Sequence, residues 1–270
     1  MATLSALVCV RDGEADLAAC LRSLSFCDEV IVVLDRGAER AREAARRAGA
    51  QVVDGIFPLA NHARAAGAEV CSSDWILEVE PDERIDRALA WEIRAALQMR
   101  PQGDWFELPI DNYVGDTLVR RGWSGALGIE RAARLSRRGV KSWPQGRRAA
   151  ATLSGPSAGS LTGAIRRVAG RDVGHLVERL ACETTHAAED LAASGRAGAF
   201  TGALVAGLSA AARSYLLRQG WREGRLGLAV ALLSGLHPVL SHMRAAELLA
   251  IGAVQAAEAA AAPLRRAAAG

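Results

Sequence analysis

Short apolar runs alternate with amphipathic stretches over the first hundred residues of the chain. The runs LSALVCV (4–10) and EVIVVLD (29–35) are continuous, and the second is rich in β-branched residues, as strands covered on both faces of a parallel sheet are. Between them, apolar residues recur with the spacing of one helical face; they are Leu17, Cys20, Leu21 and Leu24. The chain therefore opens with a predicted strand, helix and second strand.

The same alternation continues to residue 80. A helix is expected over 38–50 and a third strand over 51–57, followed by a helix from about 61 to 70 and a fourth strand, DWILEVE (74–80). Repeated strands and helices with short connections predict an α/β fold with a doubly wound sheet and right-handed crossovers.

Two acids close strands of this predicted sheet. Asp35 ends the second strand and Glu80 ends the fourth. Ligands of such sheets bind beyond the carboxyl ends of the strands, so both acids are expected on one ligand-binding edge.

The second half of the chain has a different pattern. A helix (LAWEIRAALQM) and a strand over 104–114 come first, and residues 139–175 are rich in Gly, Pro, Ser and Arg with little periodicity, so loops are expected there. From about Leu176 onward the pattern is helical and rich in alanine. We therefore expect an α/β domain over 1–175 and a helical C-terminal region over 176–270.

Eighteen residues of the C-terminal region lack any acid or full positive charge: LGLAVALLSGLHPVLSHM, between Arg225 and Arg244. The length borders on that of a transmembrane helix. Gly235 and Pro238 interrupt it, and arginines 213, 218 and 222 precede it together with Arg225, which favours an interfacial helix that enters the headgroup region. The alternative is a buried helix hairpin packed on the α/β domain.

Charge, cysteine content and the N-terminal residues bear on the partners and the location of the protein. The net charge is +3, Lys141 is the only lysine, and the arginines are spread along the chain, which does not predict a nucleic-acid-binding surface. The five cysteines have no CxxC spacing and most lie among apolar residues, which indicates a reducing compartment. The N-terminus lacks a basic region ahead of its apolar run, so a cytoplasmic location is expected.

The fourth strand leads into the densest group of acids in the first half of the chain. Within DWILEVEPDERI (74–85), Glu78, Glu80, Asp82 and Glu83 crowd together, and their mutual repulsion must be offset. Solvent is one explanation. A divalent cation is the other, because Mg²⁺ and Mn²⁺ prefer one or two carboxylates with water and diphosphate completing the shell.

Five short motifs follow one another along the chain: CLRSL (20–24), DEVIVVLD (28–35), SDWILEVEPDE (73–83), NYVGDTLVRRGW (112–123) and YLLRQGWREGRLGLAVALLS (215–234). Their succession is similar to that in family 2 glycosyltransferases, and the chain resembles the branch that builds the lipopolysaccharide core. CLRSL (20–24), DEVIVVLD (28–35) and SDWILEVEPDE (73–83) are similar to that branch's C-L-x-S-L, D-E-I-V-V-V-D and G-D-W-V-L-x-L-D-A-D-E motifs. NYVGDTLVRRGW (112–123) and YLLRQGWREGRLGLAVALLS (215–234) are similar to its N-Y-x-G-x-x-x-R-x-G-W and membrane-proximal motifs.

This resemblance implies a nucleotide-diphospho-sugar transferase (GT-A-like) sheet and sugar transfer with inversion. It implies a nucleotide-diphospho-sugar donor, a lipid-linked or lipopolysaccharide-core acceptor, Mg²⁺ or Mn²⁺, and a peripheral location on the inner face of the inner membrane. By the same resemblance the donor is bound by Arg11, Asp35, Glu39 and Glu80, and the metal by Glu80 and Asp82. Arg121, Trp123 and Arg134 are assigned to the acceptor or phosphate side, although both arginines could equally pair with an acid at the edge.

The chain departs from the branch where the general base is expected. The branch carries G-R-V-H-E, whereas this chain has Gly146-Arg147-Arg148-Ala149-Ala150, and alanine cannot accept a proton. Glu130 is the preferred substitute; the other candidates are Asp111, Asp116 and His175.

Two alternatives remain beside an active transferase. One is a glycosyltransferase-like protein that binds a nucleotide-sugar or a partner enzyme without transfer, which the missing H-E favours. The other is a nucleotidyltransferase, which would need a glycine- and arginine-rich loop after the first strand that RDGEADL does not supply.

Overall fold

The computed structural model describes residues 2–10, 17–35, 39–57, 59–123, 127–144, 150–194 and 198–268, with side chains up to Ile251. The chain divides into two compact units. Unit 1 comprises Met1–Tyr113 and Glu130–Ala169, and unit 2 comprises Val114–Ile129 and Gly170–Gly270. The predicted boundary between residues 175 and 176 stays a prediction.

Strands and helices alternate through the first hundred residues. In chain order the strands are β1 (Leu4–Val10), β2 (Glu29–Asp35), β3 (Gln51–Gly55), β4 (Trp75–Val79), β5 (Glu83–Arg84), β6 (Trp105–Val114), β7 (Thr117–Val119), β8 (Arg131–Arg137), β9 (Lys141–Ser142), β10 (Thr152–Leu153), β11 (Ser157–Ser160) and β12 (Ile165–Gly170). The helices are α1 (Leu17–Ser23), α2 (Glu39–Arg47), α3 (Ala60–Val70), α4 (Arg87–Gln98), α5 (Val173–Ala193), α6 (Phe200–Ala212) and α7 (Gly224–Ala268).

The sheet of unit 1 is mixed. Its strand order is β3-β2-β1-β4-β8-β6-β12-β5. The first four positions are parallel, whereas β8 runs antiparallel to both β4 and β6. The predicted α/β fold with a helical C-terminal region is confirmed, and the antiparallel strands extend the doubly wound part.

Residues 139–175 differ from the prediction of loops. They contain β9 to β12 and the first residues of α5. β9 and β10 form a two-stranded ribbon, and β12 pairs with β5. These strands are at most six residues long and two of them have only two residues, so the alternation that identifies a strand has no length in which to develop.

Helix α3 packs closely on the sheet because a glycine faces it. A Cβ atom on Gly67 would lie 2.4 Å from Leu7 Cδ1 and 2.5 Å from Val33 Cγ2. Leu7 and Val33 belong to a buried cluster that also contains Ile31 and Ile76. The close approach fixes α3 over β1 and β2, and Arg64 lies one turn before the glycine.

In unit 2, helices α5 and α6 both pack against α7. Arg244 of α7 donates to the hydroxyls of Thr184 and Thr185 on α5 at 2.7 and 2.8 Å. A Cβ atom on Gly207 of α6 would lie 2.5 Å from the carbonyl oxygen of Gly235, so the two helix backbones are in contact there. Small residues at the crossing thus hold α6 against α7.

Helix α7 continues through Gly235 and Pro238, which were expected to interrupt it. Proline removes only one N–H from the helix, the one that would bond the carbonyl of Ser234. Two segments, Phe200–Leu217 and Gly220–Ile251, are long and apolar enough to cross a membrane by length and composition, and 11 % of the first and 39 % of an apolar eighteen-residue window of the second are buried.

Candidate active site

Two acids that end separate strands lie at one edge of the unit 1 sheet. Asp35 is the last residue of β2, and Glu80 directly follows β4. Both strands pair in parallel with β1, with Val10 opposite Leu34 and Val8 opposite Val79. The two acids are therefore two strand spacings apart, roughly 10 Å across the sheet, on the carboxyl edge where ligands of parallel sheets bind.

The proposed base, Glu130, lies at the same edge. It precedes β8, which runs antiparallel to β4 with Leu77 opposite Leu135, so the start of β8 is at the carboxyl end of β4. Its backbone carbonyl accepts a hydrogen bond from the amide of Ile110 at 2.9 Å, and its side chain is half-buried. The structure thus brings Glu130 to the edge that carries Asp35 and Glu80.

Basic side chains of the chain itself offset the repulsion among the four acids after β4. Arg64 and Arg134 donate to one oxygen of Glu80 at 2.8 and 3.1 Å, and Arg134 also donates to Glu83 at 2.7 Å. The remaining pairs are Arg167 with Asp82, at 3.0 Å, and Lys141 with Glu78. Each acid thus has a positive partner, and the lone lysine of the sequence is one of them.

The turn that joins the acids is closed by its own hydrogen bonds. The amide of Glu83 donates to the carbonyl of Glu80 at 2.9 Å around Pro81, and the carboxylate of Glu83 accepts from the amide of Glu80 at 2.8 Å. Glu83 is completely buried. The turn therefore holds its acids in fixed positions before any ligand is present.

As placed, Glu80 and Asp82 do not fit the predicted metal site. A cation between them would lie beside the guanidiniums of Arg64, Arg134 and Arg167. Two like unit charges about 4 Å apart repel by about 4 kcal/mol near a protein surface, and a divalent ion doubles that. Within the described ranges, no group of three or more His, Cys, Asp or Glu side chains could hold a metal ion.

The shared arginine separates the pKa values of Glu80 and Glu83. Burial alone would raise the pKa of Glu80, but Arg134 and Arg64 outweigh it and hold that pKa well below its usual value. For Glu83, complete burial raises the pKa to about 7; Arg134 opposes this rise, and the charges of Glu80 and Asp82 add to it. One carboxylate is therefore kept ionised while its neighbour binds a proton near neutral pH.

We expect the stability conferred by Glu83 to decline as pH rises. Because the pKa of Glu83 increases on folding, from 4.5 to about 7, the folded state retains the proton over that interval and loses this advantage as pH passes 7. The variant Glu83→Gln has no carboxyl group at this position that can bind a proton. Its unfolding free energy minus that of the wild type should therefore increase by roughly 1–3 kcal/mol between pH 4.5 and 7, measured by urea unfolding. A difference that is flat across this interval would refute the raised pKa.

The predicted donor-binding residues have different environments. Asp35 is buried and accepts a hydrogen bond from the amide of Phe57 at 2.9 Å, so its carboxylate also ties β2 to the end of β3. Glu39 begins α2, is largely exposed and forms an ion pair with Arg42 at 3.2 Å. Arg11 lies outside the described residues. Donor binding by these residues stays a prediction.

The residues assigned to the acceptor or phosphate side divide between the units. Arg134 of unit 1 pairs with Glu80 and Glu83, which is the alternative left open for it by the sequence. In unit 2, Arg121 is half-buried, and its role stays a prediction. Trp123 is completely buried with its indole N–H donating to the carbonyl of Val119, and its assignment to the acceptor or phosphate side stays a prediction.

The other candidates for the general base have different environments. Asp111 is half-buried within β6, and Asp116 is exposed after it. The amide of His175 donates to Asp172, the residue that caps α5, so His175 belongs to the start of a helix. Ala149 lies outside the described residues.

Cavities in unit 1 differ greatly between the two edges of the sheet. A cavity of about 10 Å³, room for about one water molecule, lies beneath the Arg64–Glu80 pair at the carboxyl edge. An open depression of about 770 Å³ lies at the opposite edge; its lining includes Thr3, Asp28, Glu29, Gln51 and Ser72. Size alone would favour the second, but Asp35, Glu80 and Glu130 lie at the first.

No family model matches the chain, and no curated protein matches it. Among solved structures, the chain is similar to S. aureus TarS 1–349, with 15% identity, 90% of this chain and 89% of that chain covered, and a TM-score of 0.47. TarS 1–349 in complex with UDP-GlcNAc matches at 15% identity, 70% and 66% coverage and a TM-score of 0.46.

A third similar structure is the glucosyl-3-phosphoglycerate synthase of Mycobacterium tuberculosis in complex with Mn²⁺, UDP and glucosyl-3-phosphoglycerate. It matches at 16% identity and a TM-score of 0.33, over 42% of this chain and 44% of that one. The alignment thus spans less than half of the synthase.

Sequence reasoning missed the basic partners of the edge acids. Arg64 and Arg167 had no assigned role, and Lys141 was noted only for being the single lysine. Arg64 could have been placed near the edge, since it opens the second turn of a helix that runs back from the end of β3. Arg167 had no such signal, because the short strand that carries it has no clear pattern.

Proposed function

We propose that the chain is a glycosyltransferase of the family 2 type, which moves a sugar with inversion from a nucleotide-diphosphate donor to a lipid-linked or lipopolysaccharide-core acceptor. The observation that carries the proposal is the meeting of Asp35, Glu80 and Glu130 at the carboxyl edge of one sheet. The family-like motifs that contain Asp35 and Glu80 are far apart in sequence, and the fold brings them to one edge.

Asp35 and Glu130 have different roles in the proposed reaction. Asp35 accepts hydrogen bonds, as binding of a ribose hydroxyl or a base edge requires. Glu130 takes the proton from the acceptor hydroxyl as that oxygen attacks the anomeric carbon. The bond from that carbon to the diphosphate breaks, and negative charge develops on the leaving nucleoside diphosphate, where positive groups stabilise it.

Turnover of a donor tests the proposal. A panel of UDP-, ADP-, GDP- and CDP-sugars should include at least one that the wild type hydrolyses slowly to the nucleoside diphosphate, because water can replace the missing acceptor. Asp35→Asn, a substitution of nearly equal shape, should reduce this hydrolysis. A panel on which no donor is bound or hydrolysed, with EDTA or with Mn²⁺, would refute the proposal.

A second candidate is a protein that binds a nucleotide-sugar or a partner enzyme without transfer. The alanines at positions 149 and 150 and the arginine partners of Glu80 favour it. Tight binding of a donor with no hydrolysis of any sugar on the panel would identify this candidate.

We further propose that unit 2 holds the protein on the inner face of the inner membrane. Within the described residues, all but three of the large exposed apolar side chains belong to this unit, among them Leu208, Leu217 and Leu232. The arginines before the apolar stretch are all exposed; they are Arg213, Arg218, Arg222 and Arg225. Exposed apolar surface beside positive charge is what an anionic membrane binds.

Charged substitutions on this surface should release the protein from lipid. Leu208 and Leu217 are 74% and 78% exposed, so Leu208→Glu with Leu217→Glu should leave unit 2 folded and abolish sedimentation with anionic liposomes. Met99→Glu, at an 83% exposed site of unit 1, is the matched control and should still sediment. Binding should weaken with salt, since each arginine near the surface contributes about 1 kcal/mol of electrostatic attraction. If wild type fails to sediment at low salt, the surface serves a protein interface instead.

A further inference from the structure

The geometry points to a diphosphate site that works without a metal: arginines neutralise the acids after β4, and Arg64 takes the place of the cation beside the leaving diphosphate. This inference rests on the proposed function for the identity of the ligand. It departs from the Mg²⁺ or Mn²⁺ that the sequence leads one to expect.

The first step is the charge balance of the cluster. The carboxyl groups of Glu80, Asp82 and Glu83 are bonded to the guanidiniums of Arg64, Arg134 and Arg167, so three positive charges face at most three negative ones. A bare carboxylate pair attracts a divalent ion, whereas this cluster, which has no net negative charge, does not. The acids are thus already matched by positive charge of the chain.

The three arginines differ in how far a ligand can reach them. The side chain of Arg64 is 27% exposed, while those of Arg134 and Arg167 are 8% and 11% exposed. Arg64 is carried by α3, which packs over the sheet, and its guanidinium reaches the carboxyl edge from above Glu80. Of these three arginines, Arg64 is therefore the one that a ligand at the edge can meet.

The third step is what happens to Glu80 when Arg64 turns to a ligand. Glu80 accepts from both Arg64 and Arg134 through one oxygen, so Arg134 still bonds Glu80 after Arg64 leaves. Arg64 then presents a planar, permanently charged guanidinium to two phosphate oxygens. Arg64 thus offsets one of the charges of the diphosphate without a metal ion, and release of the diphosphate returns Arg64 to Glu80.

Titrations with Mn²⁺ alone and with UDP test the inference. Wild type should leave the paramagnetic resonance signal of free Mn²⁺ unchanged, and should bind UDP with the same affinity in EDTA as in Mg²⁺. Arg64→Gln should weaken UDP binding in EDTA about ten- to hundred-fold. Arg94→Gln is the matched control: Arg94 is 26% exposed and pairs with Asp28 at the opposite edge of the sheet, and its loss should not affect UDP binding.

A metal site and an arginine-paired cluster predict opposite results for Asp82→Asn. A metal ligand at Asp82 predicts that this variant loses UDP binding in the presence of Mn²⁺, whereas the arginine cluster predicts unchanged or tighter binding. UDP binding that requires Mn²⁺ would overturn the inference and leave the proposed function standing. Absence of binding of UDP, ADP, GDP and CDP alike, both with and without Mn²⁺, would refute the proposed function, and Mn²⁺ bound by the wild type would separately refute the pairing of these acids with arginine in place of a metal.

Discussion

Glu130→Gln should lower the rate of sugar transfer by about a hundred- to ten-thousand-fold while leaving donor binding unchanged, since an inverting transferase that loses its positioned base loses that much. The amide has the shape of the carboxylate but accepts no proton from the acceptor hydroxyl. The measurement is transfer from the donor found on the panel, with binding followed separately by calorimetry.

Glu107→Gln is the control for this variant. Glu107 lies on neighbouring β6, is exposed and pairs with Arg131 at 2.6 Å, so its loss should leave the rate nearly unchanged. Equal, near-neutral effects of the two variants would show that Glu130 is an ordinary glutamate. Ala149→His combined with Ala150→Glu should raise transfer if the rest of the site is intact.

Arg134→Met should lower the free energy of unfolding by about 3–5 kcal/mol, the usual cost of leaving buried charges without their partner. Arg134 is the shared partner of Glu80 and of the fully buried Glu83. Methionine fills similar space without a charge, so packing loss contributes little. Urea unfolding of both proteins measures the difference.

Arg131→Met, on the same strand, provides the comparison. Its ion pair with Glu107 is exposed on both sides, and exposed pairs contribute about 0–1 kcal/mol. Measured above pH 7, adding Glu83→Gln to Arg134→Met should recover part of the lost stability, because it removes a buried carboxylate that has lost its partner. If the variants at positions 131 and 134 cost the same, the cluster does not stabilise the fold.

The sequence predicts strands well where their pattern is long. The bounds of β1 and β2 agree with the apolar runs at 4–10 and 29–35, because both strands are covered by the fold on either face. The same patterns place Asp35 and Glu80 at strand ends, and parallel pairing then puts them on one edge.

Partners of the edge acids could not be predicted in the same way. Arg134 is 54 residues from Glu80 and 51 from Glu83, and Arg167 is 85 from Asp82. Such pairs depend on the register of antiparallel strands far along the chain, which no local period encodes. The acids were visible in the sequence, but the choice between a cation and arginine as their partner required the fold. Trp123 is a similar case, since a tryptophan in a motif gives no sign of its burial.

Hydrogen exchange with a nucleoside diphosphate bound tests the central claim, that the ligand lies at the carboxyl edge of the sheet. UDP, ADP, GDP and CDP are each added in EDTA, and exchange is followed by mass spectrometry. We predict that one of them slows exchange in peptides covering 59–66 and 80–87, which carry Arg64 and the acid turn. Protection confined to 24–30 and 48–51, around the 770 Å³ depression at the opposite edge, or no protection by any of the four, would contradict the account.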